Sequence, residues 1–509
     1  MADVIHLHPR DNVVVAARAL GAGSPVGIGD LTIQVAAPVK MAHKIALAPI
    51  AKGAAIFKYG QVIGTATESI AAGDWVHSHN LETGDIANDY AYCSEIPAAP
   101  TKLERNFMGY RRADGKAGTR NYLAIISNVN CSASVSKHIA RHFDQSILKD
   151  FPNVDGIVAF THGEGCAMRY GGLKHQMLNR VLGGIARHPN IGGYLMIGLG
   201  CEQAALGYLI EDQHLVQIDH GNEKKAPLVM SMQDQGGTRK TVEAGIQRLI
   251  EMLPRVNKVR REPISASELI VGMECGGSDG NSGITANPAV GVASDLLVAC
   301  GGTSILSETP EITGAEHLLT RRSRTPAVAD KLLERIRWWR WYSELFQEEF
   351  DSNPSVGNKE GGLTTIAEKS LGAVTKGGTT ALEAVYEYAE PVTAKGFVVM
   401  DTPGFDPMSV TGKVAGGANV VVFTTGRGSC YGCKPTPCIK VASNTPMFQR
   451  LGDDMDINAG EILSGQTVQQ VGEQIFEEIL AVASGKLTKS ETHGIGEEEF
   501  VPWTVGPTL

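Results

Sequence analysis

The chain lacks several features, and each absence narrows its role. No stretch reaches the roughly eighteen consecutive apolar residues that a membrane-spanning helix needs, so no membrane role is expected. Basic residues are in deficit, with 46 Lys and Arg against 55 Asp and Glu and a formal charge of −9. A nucleic-acid-binding surface asks for a basic stripe, so a small-molecule partner fits the balance better. The first ten residues show no basic flank ahead of an apolar core, and no low-complexity tract appears; a cytoplasmic location is expected. Aromatic residues make up only 6% of the chain. Nine cysteines in 509 residues are too sparse for a small secreted disulfide scaffold, and a reducing compartment leaves them as thiols or metal ligands. Glycine is plentiful at 59 residues, which implies many tight turns and close backbone approaches.

The length suggests about three domains. Up to residue 82, short apolar runs alternate with turn signals such as Gly21-Ala22-Gly23 and Ala72-Gly73-Asp74, the pattern of a small β-rich domain. Residues 83–105, with Pro97 and Pro100 and no periodicity, read as an extended linker. Residues 106–260 alternate strand and helix patterns as a Rossmann-like α/β domain does, and the pattern restarts over 261–509. The periodicity predicts helices over 238–258, 327–350 and 468–483. Trp338, Trp339 and Trp341 in the second of these read as core.

Three turns deliver a cysteine just past a buried-strand pattern: Asn128-Val129-Asn130-Cys131, Gly163-Glu164-Gly165-Cys166 and Gly198-Leu199-Gly200-Cys201, thirty-five residues apart in each case. Cys275, ahead of Gly276-Gly277-Ser278-Asp279, repeats the pattern. Such cysteines should sit at the carboxyl ends of parallel strands, where open α/β sheets place their sites. Four thiols at such an edge suggest a soft metal or an iron–sulfur cluster. The alternative is that a small residue fits a crowded turn. Trp75-Val76-His77-Ser78-His79-Asn80 reads as a strand end on which His77 and His79 share a face, so both imidazoles can ligate one metal, with His43 as a third partner. The glycine-rich turn at Arg427, with Lys434 beyond it, suits anion binding. Asp279 and the nearby Asn281 can offer oxygen to a hard cation, although Asp and Asn more often close turns.

Longer stretches carry a resemblance. His8-Pro9-Arg10-Asp11-Asn12, His43-Lys44, Lys58-Tyr59-Gly60 and His77-Ser78-His79-Asn80 resemble the SAF (β-clip) domain at the front of altronate dehydratases. Gly118-Thr119-Arg120-Asn121, the cysteine turns, Gly276-Gly277-Ser278-Asp279, Thr424-Thr425-Gly426-Arg427-Gly428 and Asp454-Met455-Asp456-Ile457-Asn458 resemble the body of the altronate/galactarate dehydratase family. The resemblance implies a SAF-like β-clip domain followed by two α/β domains with mostly parallel sheets. It also implies loss of water from a sugar acid to give a 2-keto-3-deoxy acid. The histidine pair looks more like altronate dehydratase than galactarate dehydratase. Sulfolactate sulfo-lyase is related, but its small domain and body are typically separate chains. The cofactor implied is a divalent metal, iron first, with Mn2+ or Mg2+ as substitutes and an iron–sulfur cluster as the other form.

An enediolate formed beside a carboxylate needs an offsetting cation. The metal set is then His77 and His79, or Cys131, Cys166 and Cys201 with Cys275. His43 or His162 is nominated as general base, because imidazole titrates near neutrality, and Lys44 is the rival. Arg120, Asn121, Arg427, Lys434, Ser278 and Asp279 are the candidates for holding substrate. A homodimer is the default for such an enzyme. The competing class is a sugar-acid or metal-binding protein that keeps the fold without the reaction.

Overall fold

Turn signals every few residues break the front of the chain into short strands, nine among the described residues, from Val4–Ile5 to Leu81–Glu82. They are the first part of a computed structural model that describes residues 3–29, 31–84, 89–217, 226–348 and 353–506. Val4–Ile5, Val13–Ala16, Lys44–Ala46 and Trp75–Val76 form one antiparallel sheet, and Ala55–Lys58, Gln61–Ala66 and Leu81–Glu82 another. The strand expected to carry His77 and His79 stops at Val76, and residues 77–80 form a turn.

Behind this domain lie two parallel sheets. The first runs in the order Gly156–Phe160, Tyr122–Ser127, Ile191–Gly198, Leu228–Ser231. Its central strands are buried throughout and mostly apolar, as expected of strands covered by helices on both faces. The helix Thr238–Val256 covers one face. The second sheet has seven strands: Leu382–Tyr386, Gly396–Met400, Thr303–Leu306, Ile270–Cys275, Val420–Thr425, Cys438–Ala442 and Ile457–Asn458, all parallel. Helices Ala286–Ala299 and Val468–Ala483 pack together on one face, and Asp406–Ala415 lies on the other against Leu173–Ala186 of the first α/β domain.

The two α/β units are linked across residue 260 by strand pairing. Asn106–Arg111 pairs antiparallel with Glu262–Ser265, so strands from both sides of that boundary share one sheet. An apolar cluster also runs from Ile126 and Phe160 to Val414 and Phe423 across the two units. The helix expected over 327–350 occupies Pro326–Leu345, and residues 349 and 350 lie outside the described residues. Its tryptophans divide: Trp339 is buried and stacked on Trp503 at 5.1 Å, whereas Trp341 is 52% exposed.

Candidate active site

The carboxyl ends of the seven-stranded sheet form a crevice at Ile270–Cys275. From this strand the chain passes by one helix to Thr303–Leu306 on one side, and Val420–Thr425, reached from Gly396–Met400 by the helix Asp406–Ala415, lies on the other. Such a switch point is where open α/β sheets bind ligands.

The crevice gathers buried charge. The Cys275 amide donates to Glu308 Oε2 at 3.2 Å, and its thiol lies 3.5 Å from the same oxygen and 3.6 Å from Glu311. Lys376 donates to Glu308 at 2.8 Å, and Lys369 to Glu311 at 2.6 Å. Lys413 pairs with Glu274 and donates to Ser307 Oγ at 2.6 Å. Glu274 Oε1 is buried with no hydrogen-bond partner among the described residues. Asp406 starts its helix, is partly exposed and makes no hydrogen bond among the described residues. Its carboxylate lies over Gly276, where a Cβ would collide with it. Oxygens of Glu274, Glu308 and Asp406 lie within 4.8 Å of one another.

These surroundings shift protonation. Burial, then Glu274, pushes Glu308 up to about 7 against the pull of Lys376 and Lys413. Burial, then Glu308 and Glu311, pushes Asp406 to about 7 as well. Burial also holds the Cys275 thiol well above its usual range, so it stays neutral. Burial opposes the Lys376 charge, but Cys275, Glu308 and Glu274 outweigh it and keep the ammonium charged. Glu308 itself has φ 64°, a left-handed backbone that is uncommon for a non-glycine residue and clusters at functional sites.

The small β domain caps this edge. Ala42 turns with φ 72°, and its carbonyl approaches so closely that a Cβ at Gly280 or Gly362 would clash. Lys44 Nζ donates to Gly362 O and to both Glu368 oxygens at 2.8–3.0 Å, and Lys58 donates to Glu368 at 2.8 Å. Burial lowers Lys44 to about 8 despite Glu368. Burial would raise Glu368, but the two lysines hold it below the ordinary carboxylate range.

The sequence-derived candidates fare unevenly here. His43 Nε2–H donates to Glu360 O at 3.1 Å, and Trp75 Nε1–H donates to His43 Nδ1 at 3.0 Å. Both nitrogens are occupied, and burial drops the ring to about 4, which argues against a free base. His77 is likewise engaged, by Lys359 O at 2.8 Å and Ser78 Oγ at 2.9 Å, while His79 is exposed against Trp75. The two imidazoles therefore do not form a shared metal face. The Lys44 ammonium is enclosed by Gly362 and Glu368, which leaves no face for a substrate.

Arg120 is buried, grips Glu491 at 2.6 and 2.8 Å and donates to Thr119, Val482 and Lys486 carbonyls. The Asn121 amide is taken by Arg112, Asn153 and Val256. Asp279 accepts from Ser282, Ser443 and Asn444, which ties three loops together, and Ser278 O accepts from Asn358. Lys434 pairs with Glu497 at 2.9 Å. Only Arg427 stays available at the rim, 46% exposed and 3.3 Å from Glu360.

Cys131, Cys166 and Cys201 lie at the carboxyl edge of the other parallel sheet, exposed and unpaired. Cys275, buried in the crevice, does not join them. His162 is buried there, with Nε2 unpartnered and its pKa lowered by burial to about 4. It lines a cleft of about 400 Å3 with Asn130, Lys137 and Phe500.

The sequence reading missed Glu274, Glu308, Glu311, Lys369, Lys376 and Asp406. A signal was present: Ser307-Glu308-Thr309-Pro310-Glu311 follows a buried strand, and Lys369 and Lys376 are charges in a buried helical stretch.

Comparison with known proteins covers nearly the whole chain. Residues 2–84 match the altronate/galactarate dehydratase SAF domain. Residues 109–257 match the second domain of D-galactarate dehydratase/altronate hydrolase, and 266–508 the C-terminal domain of D-galactarate/altronate dehydratase. Altronate dehydratase of Escherichia coli (strain K12) is 36% identical over 97% of each chain. Altronate dehydratase of Bacillus subtilis (strain 168) is 35% identical over 98% of each. Galactarate dehydratase (L-threo-forming) of Escherichia coli (strain K12) is 38% identical over 95% of this chain and 93% of its own.

Proposed function

The chain belongs to the altronate/galactarate dehydratase family, and from that premise we propose that it removes water from a sugar acid, D-altronate first, to give a 2-keto-3-deoxy acid. The observation that carries the chemistry is a charge imbalance. Glu274, Glu308, Glu311 and Asp406 set four carboxyls against the three ammoniums of Lys369, Lys376 and Lys413. One proton restores neutrality, and Glu308 and Asp406, both near 7, are the groups that share it. Two carboxyls sharing one proton supply a base and an acid at neutral pH.

Asp406, the more open of the two, takes the proton from the carbon beside the substrate carboxylate. Lys376 and Lys369 offset the enediolate charge in a site of low dielectric. Protonated Glu308 gives its proton to the departing hydroxyl, which leaves as water, and the resulting enol tautomerises to the ketone. Arg427 holds the substrate carboxylate at the rim.

The residues fit a divalent ion poorly at this spot, because an ion among Glu274, Glu308 and Asp406 would face Lys413 and Lys376. The proton transfers therefore fall to the side chains themselves. We also propose a cytoplasmic homodimer; sedimentation of the purified protein tests the dimer, and fractionation of the cells tests the location.

The test of function is an assay of the reduced, iron-supplied protein for 2-keto-3-deoxy product over a panel of aldonic and aldaric acids. Turnover of D-altronate above galactarate supports the assignment. The reverse order moves it to the aldarate branch, and no turnover on any of them leaves a binding protein.

A further inference from the structure

Glu308 lies just past the end of a sheet ladder. The parallel pairing of Thr303–Leu306 with Gly396–Met400 ends at Leu306 and Val399, and turn amides and side chains then join the two strand ends. The Glu308 amide donates to Thr402 Oγ1 at 2.9 Å, and the Thr309 amide donates to Thr402 O at 3.0 Å. In return the Thr402 amide donates to Thr309 Oγ1 at 3.3 Å, and that hydroxyl donates to Asp401 Oδ1 at 2.6 Å. Trp339 Nε1–H donates to the same Asp401 oxygen at 2.7 Å. Thr309, Thr402 and Asp401 are all buried.

The donor inventory gives each hydroxyl a defined job. An ionised carboxylate only accepts, so the single proton of the Thr309 hydroxyl goes to Asp401 and its lone pairs are left for the Thr402 amide. Thr402 Oγ1 receives the Glu308 amide and lies 2.9 Å from Ser409 Oγ, which donates to Glu274 Oε2 at 2.9 Å. Valine at either position would fill the same space and break the clamp. What the clamp holds is unusual. Glu308 has φ 64° and ψ 56°, a left-handed conformation that is costly for a residue with a Cβ and persists where the surroundings over-determine it. In this conformation its carboxyl reaches the Cys275 amide at 3.2 Å and Lys376 Nζ at 2.8 Å.

We propose that Thr309 and Thr402, anchored on Asp401, are positioning residues for the dehydration: they hold Glu308 in the left-handed turn from which its carboxyl meets Lys376 and the departing hydroxyl. This rests on the reading of Glu308 as the acid. The two threonines act through the Glu308 backbone and touch no reacting atom. A group displaced by about 1 Å from its productive position can lose about 10²-fold in rate, so the clamp matters to chemistry more than to substrate capture at Arg427.

The experiment compares Thr309→Val and Thr402→Val with Thr309→Ser and Thr402→Ser in the full-length protein. Two quantities are read: steady-state rates on sugar acids, and the infrared band of the protonated Glu308 carboxyl, assigned by its loss in Glu308→Gln. Each valine variant should lower kcat about 10²-fold with KM little changed, and each serine variant, which keeps the hydroxyl, should restore it. The band should move in the valine variants and return in the serine ones, a signature that lost stability alone does not produce. The two valine substitutions strike different residues of the clamp, so one that fails to fold leaves the other to decide. Wild-type kcat in a folded valine variant, a fall that serine does not repair, or a band that stays in place overturns the proposal. A wild type inert toward every sugar acid sinks the dehydration reading, and the band then judges the clamp by itself. A wild type that turns over D-altronate while the valine variants match it sinks the clamp alone.

Discussion

The two parallel sheets end differently. The seven-stranded sheet buries its carboxyl edge beneath the small β domain and fills it with carboxylates and ammoniums in direct contact. The four-stranded sheet leaves its edge open, with three bare thiols on loops joined by backbone bonds. Both edges are the natural site of an α/β sheet, so topology alone does not say which chemistry each supports. The cap does. Burial and neighbouring carboxylates raise Glu308 and Asp406 to about 7 at the buried edge, whereas the thiols of the open edge stay exposed.

That contrast can be broken at several points. The largest effect is expected from Asp406→Asn, which should lower turnover about 10²- to 10⁴-fold with little change in KM, the range for a lost general base. In the unsubstituted enzyme the rate should peak near neutrality, since acid protonates Asp406 and alkali ionises Glu308. Initial rates across pH check this, and a flat profile would remove both carboxyls from the mechanism.

Next is the cap itself. Glu368→Gln leaves Lys44 and Lys58 buried without their anion and should cost about 3–5 kcal/mol in denaturant unfolding. The pH sense differs between the two carboxyl groups. Glu368 is held below its ordinary range, so its stabilisation is whole above about pH 4 and is lost as pH falls. Glu308 and Asp406 are raised, so their protonated forms favour the fold and that contribution fades as pH rises through about 7. Unfolding curves that are superimposable for wild type and Glu368→Gln would refute the role given to the seam.

Arg427→Ala should raise KM roughly tenfold, the scale of one charge-assisted hydrogen bond. An unchanged saturation curve moves carboxylate recognition elsewhere. The smallest effect on turnover is expected for His43→Gln: with both ring nitrogens engaged by Glu360 and Trp75, the rate should fall less than about tenfold while stability drops by about 1–3 kcal/mol. A loss on the scale of a general base would reinstate His43 as the proton acceptor.

The sequence made the architecture readable because periodicity is local. The strands leading to Cys131, Cys166, Cys201 and Cys275 announce themselves by apolar runs that end in glycine-flanked turns. Side-chain partnerships are not local. Arg120 reads from its motif as a substrate ligand, but Glu491, far along the chain, holds it. The His77 and His79 pairing assumed that a strand continued through them, but it stops at Val76. Glu274, Glu308, Lys376 and Asp406 converge from four separate segments, and no spacing rule links them. The family resemblance was legible from long motifs, yet it could not say which charges in those motifs face one another.

The seam between cap and body has a consequence for how the molecule is made. Lys44 and Lys58 precede their shared partner Glu368 by 324 and 310 residues. At ribosomal speeds of about 5–20 residues per second, roughly a quarter of a minute to a minute separates their synthesis. Throughout that interval the nascent front domain carries two lysines whose burial must wait, and it can seat itself only once residue 368 of the 509 has been made. Docking of the lid is therefore a late event of biogenesis, and a truncation before residue 368 should yield a front domain that never settles.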